Sequence, residues 1–346
     1  MKRSIILITV AALALVGCTK VQDVYTGAPQ EIAFTSLAMP STRAVNESAT
    51  GTALPDQSIW VSAYSTATSA SYFADIEFGK NYVGGATGGS DNYWGAKTTA
   101  QYWPLSPTRL NFLGITGVAS HDDIASFTHA GATITWNHQT TVADYNDVMY
   151  GVGTGTVTQP SGNALVYSGT TVAMPFKHAL AFVEFKVAVG NASYADAIRV
   201  NKIEVKNMVK KATFALTSTT TTTDTDSQAA SGVWSKTADA ADVADVDVPG
   251  SDVYNTTAPT ATLTRDGILL VPCKSGAEGF DSFTKFIIHF TMNNNAYTYE
   301  YTPATTKLEQ GHKYTYNITL TLTEIRINPT VDAGWDNADT AIAVPA

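Results

Sequence analysis

Charged residues are scarce in this sequence. They make up 15% of the 346 residues, and 30 acidic against 21 basic side chains give a formal net charge of −9. No basic patch is large enough to follow a phosphate backbone, so we exclude nucleic acid as a partner. The apolar fraction of 44% is nevertheless ample for a packed core.

Motifs for metal binding and catalysis are missing as well. The six histidines form no H-x-x-x-H pair, no pair of cysteines supports a zinc site, and no G-x-S-x-G nucleophile elbow is present. The acidic stretch at 239–252 lacks the glycine and terminal glutamate of an EF-hand loop, so we interpret it as a surface loop. Gly151-Val152-Gly153-Thr154-Gly155 lacks the G-x-G-x-x-G spacing, and we interpret it as a turn.

We therefore predict no catalytic residue, no metal and no cofactor. His178 is expected to be a hydrogen-bonded structural histidine. Paired catalytic carboxylates that only the fold would bring together stay open as an alternative.

The first eighteen residues are typical of an export signal. Lys2 and Arg3 precede an apolar run at 5–16, which is too short to cross a bilayer. Leu15-Val16-Gly17-Cys18 resembles a bacterial lipobox, which implies removal of residues 1–17 and lipid on Cys18. An ordinary signal with an incidental cysteine is the alternative. Once Cys18 is lipidated, Cys273 has no partner in the chain, and we expect a buried structural thiol there.

The composition beyond the signal favours strands, because threonine is abundant and 16 tyrosines and 13 phenylalanines are present. Residues 159–163 break the pattern and form the best linker candidate. The prediction is an all-β protein with two antiparallel β-sandwiches in tandem, at 44–165 and 166–346. A hairpin turn is expected at Asn293-Asn294-Asn295. Alternation of apolar and polar residues predicts strands at 31–37, 58–64, 110–115, 147–150, 198–205, 213–216, 268–271, 286–292, 296–301 and 314–323. Two further strands are predicted within 172–187, and the second of them alternates well at 182–187.

Several short motifs in family order resemble the fimbrillins of Bacteroidetes, the subunits of type V pili. Each is weak alone, but together they cover nearly the whole chain. They are the lipobox at Cys18, Thr42-Arg43-Ala44, Gln101-Tyr102-Trp103-Pro104, Asp147-Val148-Met149-Tyr150, Phe176-Lys177-His178-Ala179-Leu180-Ala181, residues 308–318 and Trp335.

The resemblance implies that the two sandwiches are transthyretin-like and that the precursor is a lipoprotein of the outer membrane. It also implies cleavage after Arg43 by an arginine-specific protease, which makes Ala44 the first residue of the mature subunit. Residues 18–43 would then be a lipidated propeptide that includes the first strand. Arg43 as a mere exposed loop residue is the alternative.

Cleavage at Arg43 would let the first strand leave the N-terminal sandwich. Ile32 and Phe34 are the apolar residues of this released strand, and their departure would open a groove that templates another strand. The donor candidate is the tail at about 331–346, where Ile342 and Val344 have the same spacing. A frayed tail or an intramolecular edge strand is the alternative for this segment.

The function predicted from these features is that of a structural pilin, polymerised by donor-strand exchange into a surface pilus for adhesion. Its expected partners are other pilin subunits, the protease and the outer membrane. One alternative is a tip or accessory subunit that binds a host glycan or protein through aromatics such as Tyr93, Trp94, Tyr102 and Trp103, although core packing is favoured for Trp103. The other is a lipid-anchored, glycan-binding surface lipoprotein that never polymerises. We do not expect an enzyme.

Overall fold

The computed structural model describes a protein built from β-strands. No α-helix occurs in the described ranges, which contain two single 3₁₀ turns at His121–Asp123 and Ala240–Asp242. Across the same ranges, no helical segment has the length and hydrophobicity of a membrane span. The described residues are 29–35, 58–88, 93–138, 146–159, 165–167, 171–190, 198–219, 228–236, 239–248, 267–273, 280–321, 324–332 and 341–343.

The all-β prediction is therefore confirmed, and most predicted strands coincide with observed ones to within a few residues. The strands are, in chain order, β1 (Phe34–Thr35), β2 (Ile59–Ser65), β3 (Ala70–Lys80), β4 (Tyr82–Val83), β5 (Ala86–Thr87), β6 (Tyr93–Ala96), β7 (Thr108–Thr116), β8 (Ile124–Thr128), β9 (Gly131–Asn137), β10 (Met149–Thr158), β11 (Val166–Tyr167), β12 (Val172–Ala173), β13 (Phe176–His178), β14 (Ala181–Val189), β15 (Ile198–Val209), β16 (Lys211–Thr219), β17 (Ala229–Lys236), β18 (Val243–Asp247), β19 (Gly267–Leu270), β20 (Lys285–Met292), β21 (Asn295–Tyr301), β22 (Lys313–Leu320), β23 (Ile325–Asp332) and β24 (Ala341–Ala343).

The N-terminal sheet closes almost into a ring. Its strands follow the order β11-β10-β7-β2-β3-β6-β1-β12, and β13 pairs with β10. Only Met174 and Pro175 separate β12 from β13, so the segment joins one end of the sheet to a strand near the other. A sheet closed in this way leaves few unpaired edges.

Glycines let this closing segment cross the sheet at close range. The turn predicted at 151–155 is wrong, because these residues lie within β10. A Cβ atom on Gly151 would lie 2.5 Å from the carbonyl oxygen of Pro175, and one on Gly114 would lie 2.4 Å from Sδ of Met174. The side chains of Met174 and Phe176, which belong to the segment, are buried. Glycine is therefore needed in these strands for close approach of the backbone.

A buried polar pair fixes the end of the closing segment. Nδ1 of His178 lies 2.8 Å from Oδ2 of Asp147, and both side chains are shielded from solvent. Next to them, the amide of Ala179 donates to the carbonyl of Val148. His178 thus has the structural environment that the sequence predicts.

The C-terminal strands form three further sheets. Their orders are β19-β14-β22-β23-β24, β18-β15-β20-β21 and β17-β16-β9-β8, and the last joins strands from both halves of the chain. Most pairs are antiparallel, whereas β14 and β22 are parallel, as are β1 and β12. The predicted turn between β20 and β21 is confirmed, since Asn293 and Asn294 have positive φ angles of 51° and 63°, as a two-residue type I′ hairpin requires.

A partly buried carboxylate links the two parallel strands β14 and β22. Glu184 accepts a hydrogen bond from Oγ1 of Thr315 at 2.8 Å, and its second oxygen lies 2.9 Å from Nζ of Lys313. Burial raises the pKa of Glu184, but Lys313 and Thr315 lower it by more, so the net pKa lies below the usual range.

Two hydrophobic clusters form the core. The larger one runs from β7 through the C-terminal sheets and includes Cys273, which is fully buried and whose Sγ contacts the carbonyl of Phe280. The smaller one fills the N-terminal sheet. It contains Ile32, Phe34, Ile59, Val61, Ala63, Phe78, Trp94, Ala96, Trp103, Leu110, Phe112, Met149, Val157, Leu165, Val172, Met174 and Phe176.

Candidate functional site

The first strand lies inside the N-terminal sheet, with a partner on each side. Phe34 is opposite Trp94 of the antiparallel neighbour β6 and opposite Val172 of the parallel neighbour β12. We call the position occupied by residues 30–35 the β1 slot. One of its walls is formed by β6 and residues 101–103, and the other wall is β12.

Backbone hydrogen bonds hold both edges of the segment in the β1 slot. The amide of Ile32 donates to the carbonyl of Gln101 at 2.6 Å, and the amide of Trp103 donates to the carbonyl of Gln30 at 2.9 Å. On the opposite edge, the amide of Val172 donates to the carbonyl of Ala33 at 2.8 Å. Removal of this segment would therefore leave donors and acceptors without partners on two strands at once.

Three consecutive side chains of the segment are completely buried. Ile32, Ala33 and Phe34 each have 0% of their surface exposed. The ring of Phe34 meets Phe78 at 4.9 Å and Phe112 at 5.2 Å between centroids, at interplanar angles of 78° and 85°. These edge-to-face contacts are the favoured geometry for aromatic pairs. Ala33 points to the other side of the strand and is also buried, so both faces of the segment are covered by the protein.

Glu31 ties the segment to a neighbouring hairpin. Its two carboxylate oxygens accept from the amide of Gly84 at 3.0 and 3.2 Å. Gly84 and Gly85 form the turn between β4 and β5 with φ angles of 61° and 83°. A Cβ on Gly85 would lie 2.4 Å from the carbonyl oxygen of Thr98. The hairpin thus rests on the bend at 97–99 that follows β6, and Glu31 of the slot segment holds the tip of the hairpin.

An ion pair anchors the bend at 97–99. Nζ of Lys97 lies 2.7 Å from Oε1 of Glu77 on β3, and the hydroxyl of Ser58 donates to the same oxygen. Burial raises the pKa of Glu77, but the hydrogen bonds from Lys97 and Ser58 lower it by more, so the net pKa is lowered. The carboxylate is therefore charged at neutral pH and stabilises the wall of the slot.

Aromatic residues around the slot divide into buried and exposed ones. Trp94 and Trp103 are each 2% exposed, which confirms core packing for Trp103 and assigns Trp94 to the core as well. Tyr93 is half-buried. Tyr102 is 45% exposed beside Glu31, and its carbonyl accepts from the hydroxyl of Tyr72 at 2.7 Å. Of the four aromatics predicted as ligand contacts, Tyr102 is thus the most accessible.

Comparison with known families assigns the chain. The model of the family described as Fimbrillin-like matches residues 42–335, which is most of the sequence. The chain belongs to the fimbrillin-like family. The family resemblance found in the sequence is therefore confirmed, and β1 and β24 lie just outside the matched range.

Solved structures of fimbrial proteins are similar to this fimbrillin-like chain. A fimbrial protein from Bacteroides vulgatus is 17% identical, with 81% of this chain and 92% of that chain covered and a TM-score of 0.49. A fimbrial assembly protein from Parabacteroides distasonis is 12% identical over 92% and 100% of the two chains, with a TM-score of 0.45. A C-terminally truncated tip fimbrial protein from Porphyromonas gingivalis is 9% identical over 88% and 99%, with a TM-score of 0.41.

These identities and scores are low, so the family assignment depends on the family model alone. No curated protein matches the chain significantly.

The tail of this fimbrillin-like chain forms an edge strand. β24 pairs antiparallel with β23, with Ile342 opposite Val331, and it is the outermost strand of its sheet. This placement agrees with the alternative that the tail is an intramolecular edge strand. Donation of the tail to another subunit stays a prediction. Val344, Cys18, Arg43 and Ala44 lie outside the described residues.

Sequence reasoning found the buried pair Ile32 and Phe34 but missed two parts of the site. A strand is predicted in the first half of 172–187, but its parallel pairing with β1 is not, because β12 is only two residues long and gives no periodic signal. The tether from Glu31 to Gly84 also went unrecognised, although the run of glycines at 84–89 does indicate a turn. Among the described residues, no group of three or more His, Cys, Asp or Glu side chains is arranged to hold a metal ion.

Proposed function

We propose that this protein is a structural pilus subunit that polymerises by donor-strand exchange at the β1 slot. In this proposal the precursor is a lipoprotein anchored to the outer membrane through Cys18. An arginine-specific protease cuts after Arg43, residues up to 43 leave, and the mature chain from Ala44 accepts an extended strand from another subunit. Membership of the fimbrillin-like family supports the general role, and the internal, fully buried position of residues 32–34 supports the mechanism.

The open slot is costly, which provides the driving force. Each buried backbone group left without a partner costs about 1–3 kcal/mol. Exposure of a fully buried Ile or Phe side chain costs about 1.5–3 kcal/mol more. Two edges and two apolar sites are involved, so the vacant slot favours any strand that restores both ladders and both side-chain contacts.

The tail matches the slot in side-chain size as well as spacing. Ile342-Ala343-Val344 follows the order large, alanine, large of Ile32-Ala33-Phe34. The alanine is informative, because Ala33 is completely buried and extra methylene groups in a packed site are destabilising. In the same register, Pro345 takes the position of Thr35, where a missing amide is tolerated at the end of a strand.

The tail is weakly held in its own subunit, which supports its role as donor. The ladder between β24 and β23 comprises three residue pairs, from Thr330–Ala343 to Asp332–Ala341. Loss of so short an edge strand costs little compared with the filling of a slot that has partners on both sides.

Two complementary variants test the mechanism. Arg43→Ala keeps the slot closed but leaves the tail intact, whereas deletion of 336–346 removes the donor and leaves the slot free to open. After protease treatment, each variant alone should give no ladder of polymers in native electrophoresis. A mixture of the two should stop at dimers, because the first can only donate and the second can only accept. Arg326→Ala serves as the control, since Arg326 is an exposed arginine that pairs with Glu324.

Ladders in either variant would refute strand exchange through this slot. Absence of polymers from the wild-type chain after complete cleavage would favour a non-polymerising surface lipoprotein. The N-terminal residue of assembled subunits, determined by mass spectrometry, should be Ala44.

A further inference from the structure

We propose that an exposed apolar patch at the mouth of the β1 slot is the surface on which the body of the donating copy of this chain rests. The patch consists of Tyr72, Tyr102, Leu105 and Val166 and is called the mouth patch. The inference rests on the proposed function, since it concerns a second contact between the same two subunits.

The strand registers place the four residues at one end of the N-terminal sheet. Ser65 is opposite both Ala70 and Leu110, which brings the β2–β3 turn next to the start of β7. Tyr72 follows that turn, and Leu105 lies just ahead of β7. Val166 begins β11, opposite the last residue of β10, and β10 ends beside the first residue of β7.

This end of the sheet is unusually apolar for an exposed surface. Tyr72, Tyr102, Leu105 and Val166 are 39%, 45%, 55% and 48% exposed. Among the described residues of the N-terminal sheet and its β4–β5 hairpin, Val83 is the one other exposed large apolar side chain. Exposed apolar patches of this kind mark interaction surfaces.

The mouth patch is continuous with the slot. Tyr102 forms a β-bridge with Glu31, and the amide of the next residue, Trp103, donates to the carbonyl of Gln30. The hydroxyl of Tyr72 donates to the carbonyl of Tyr102. The start of the segment in the slot therefore lies beside Tyr102 of the patch, and a replacement strand in the same direction would start at the same place.

The length of the tail identifies the occupant. β23 ends at Asp332, and in the register of the β1 slot Ala341 takes the place of Glu31. The eight residues between them, 333–340, span about 30 Å at most. The C-terminal sheet of the donating subunit must then lie within that distance of the mouth, which makes the body of a second copy the occupant of the patch in this proposal.

The experiment separates strand binding from body contact. The double variant Tyr72→Ser/Leu105→Ser, whose positions lie in the mouth patch but not in the wall of the slot, is compared with the wild type, both cleaved at Arg43. The matched control is Tyr297→Ser/Val233→Ser, whose side chains are 43% and 55% exposed on other sheets. A fluorescent peptide with the sequence of 336–346 measures strand binding, and native electrophoresis over time measures polymerisation.

We expect the patch variant to bind the peptide with an affinity within about twofold of the wild type and to polymerise about tenfold more slowly, as for loss of an aromatic anchor at an interface. The control variant should match the wild type in both assays. Circular dichroism and urea unfolding check that each variant is folded.

Each other outcome overturns a definite statement. If the patch variant polymerises at the wild-type rate, the mouth patch is not a contact between subunits, and the proposed function is unaffected. If the patch variant polymerises at the wild-type rate but loses the glycan binding that the wild type shows on an array, the patch binds a glycan and the inference is refuted. Loss of peptide binding in the patch variant shows that the patch acts through the slot and not through a second contact. Failure of the wild-type cleaved chain to bind peptide or to polymerise refutes the proposed function itself.

Discussion

Phe34→Ala should destabilise the uncleaved chain and leave the mature chain unchanged. The ring of Phe34 is fully buried and makes edge-to-face contacts with Phe78 and Phe112. Truncation of a buried phenylalanine to alanine costs about 3–5 kcal/mol, of which the aromatic pairs supply about 0.5–1.5 kcal/mol each. The mature chain that begins at Ala44 does not contain residue 34, so its stability should not depend on this substitution.

Urea unfolding in an Arg43→Ala background measures the effect, because the strand then stays attached. A loss of about 4 kcal/mol with a urea dependence of about 2 kcal/mol per M lowers the midpoint by about 2 M. Trp94, which is buried opposite Phe34, makes tryptophan fluorescence sensitive to this sheet. The chain has several sheets and two core clusters, so the fluorescence transition of the N-terminal sheet is compared with far-UV circular dichroism.

Phe214→Ala is the matched control, because Phe214 is equally buried but belongs to the larger core cluster. It should destabilise the uncleaved and the mature chain alike. A midpoint for Phe34→Ala within about 0.3 M of the parent, or about 0.6 kcal/mol, would show that the first strand contributes nothing to the N-terminal sheet. The slot mechanism would then be refuted.

Three further predictions concern the donor, the C-terminal sheet and the closing segment. Ala343→Leu should slow polymerisation after cleavage, measured by native electrophoresis, because Ala33 at this register of the slot is completely buried and overpacking of a buried site costs free energy. Glu184 has a lowered pKa, so its stabilising effect is present above the unfolded value of about 4.5 and is lost as the pH falls through the folded value. Glu184→Gln, which removes the pair with Lys313, should therefore flatten the loss of unfolding free energy below about pH 4.5. Gly151→Ala should lower the melting temperature, because its Cβ would lie 2.5 Å from the Pro175 carbonyl oxygen; an unchanged melting temperature would show that the closing segment can move away.

The sequence predicted the strand content well but the arrangement of the strands poorly. Alternation identified strands such as β14 and β20, because each has one face in the core. It missed β3, where Asp75 has a positive φ of 55° and the pairing with β2 shifts register between Val61 and Ala63. A bulge of this kind interrupts the period of two on which the method depends.

The candidate site was predicted to a similar degree. The burial of Ile32 and Phe34 follows from their spacing, and the structure agrees. Their neighbours in the sheet come from distant parts of the chain, and pairing with β12 depends on the closing segment and its glycines. Such long-range pairing is a tertiary property that no local pattern encodes.

The opposite orientations of the two strands that flank β1 have a consequence for any filament built through this slot. An inserted strand satisfies the antiparallel ladder of β6 and the parallel ladder of β12 in one orientation only. Every junction must then have the same sense, and the two tips of the fibre are chemically distinct. One tip of such a fibre carries a vacant groove, and the other carries a tail that is not inserted into a neighbour. Elongation and termination can therefore be controlled by separate molecules.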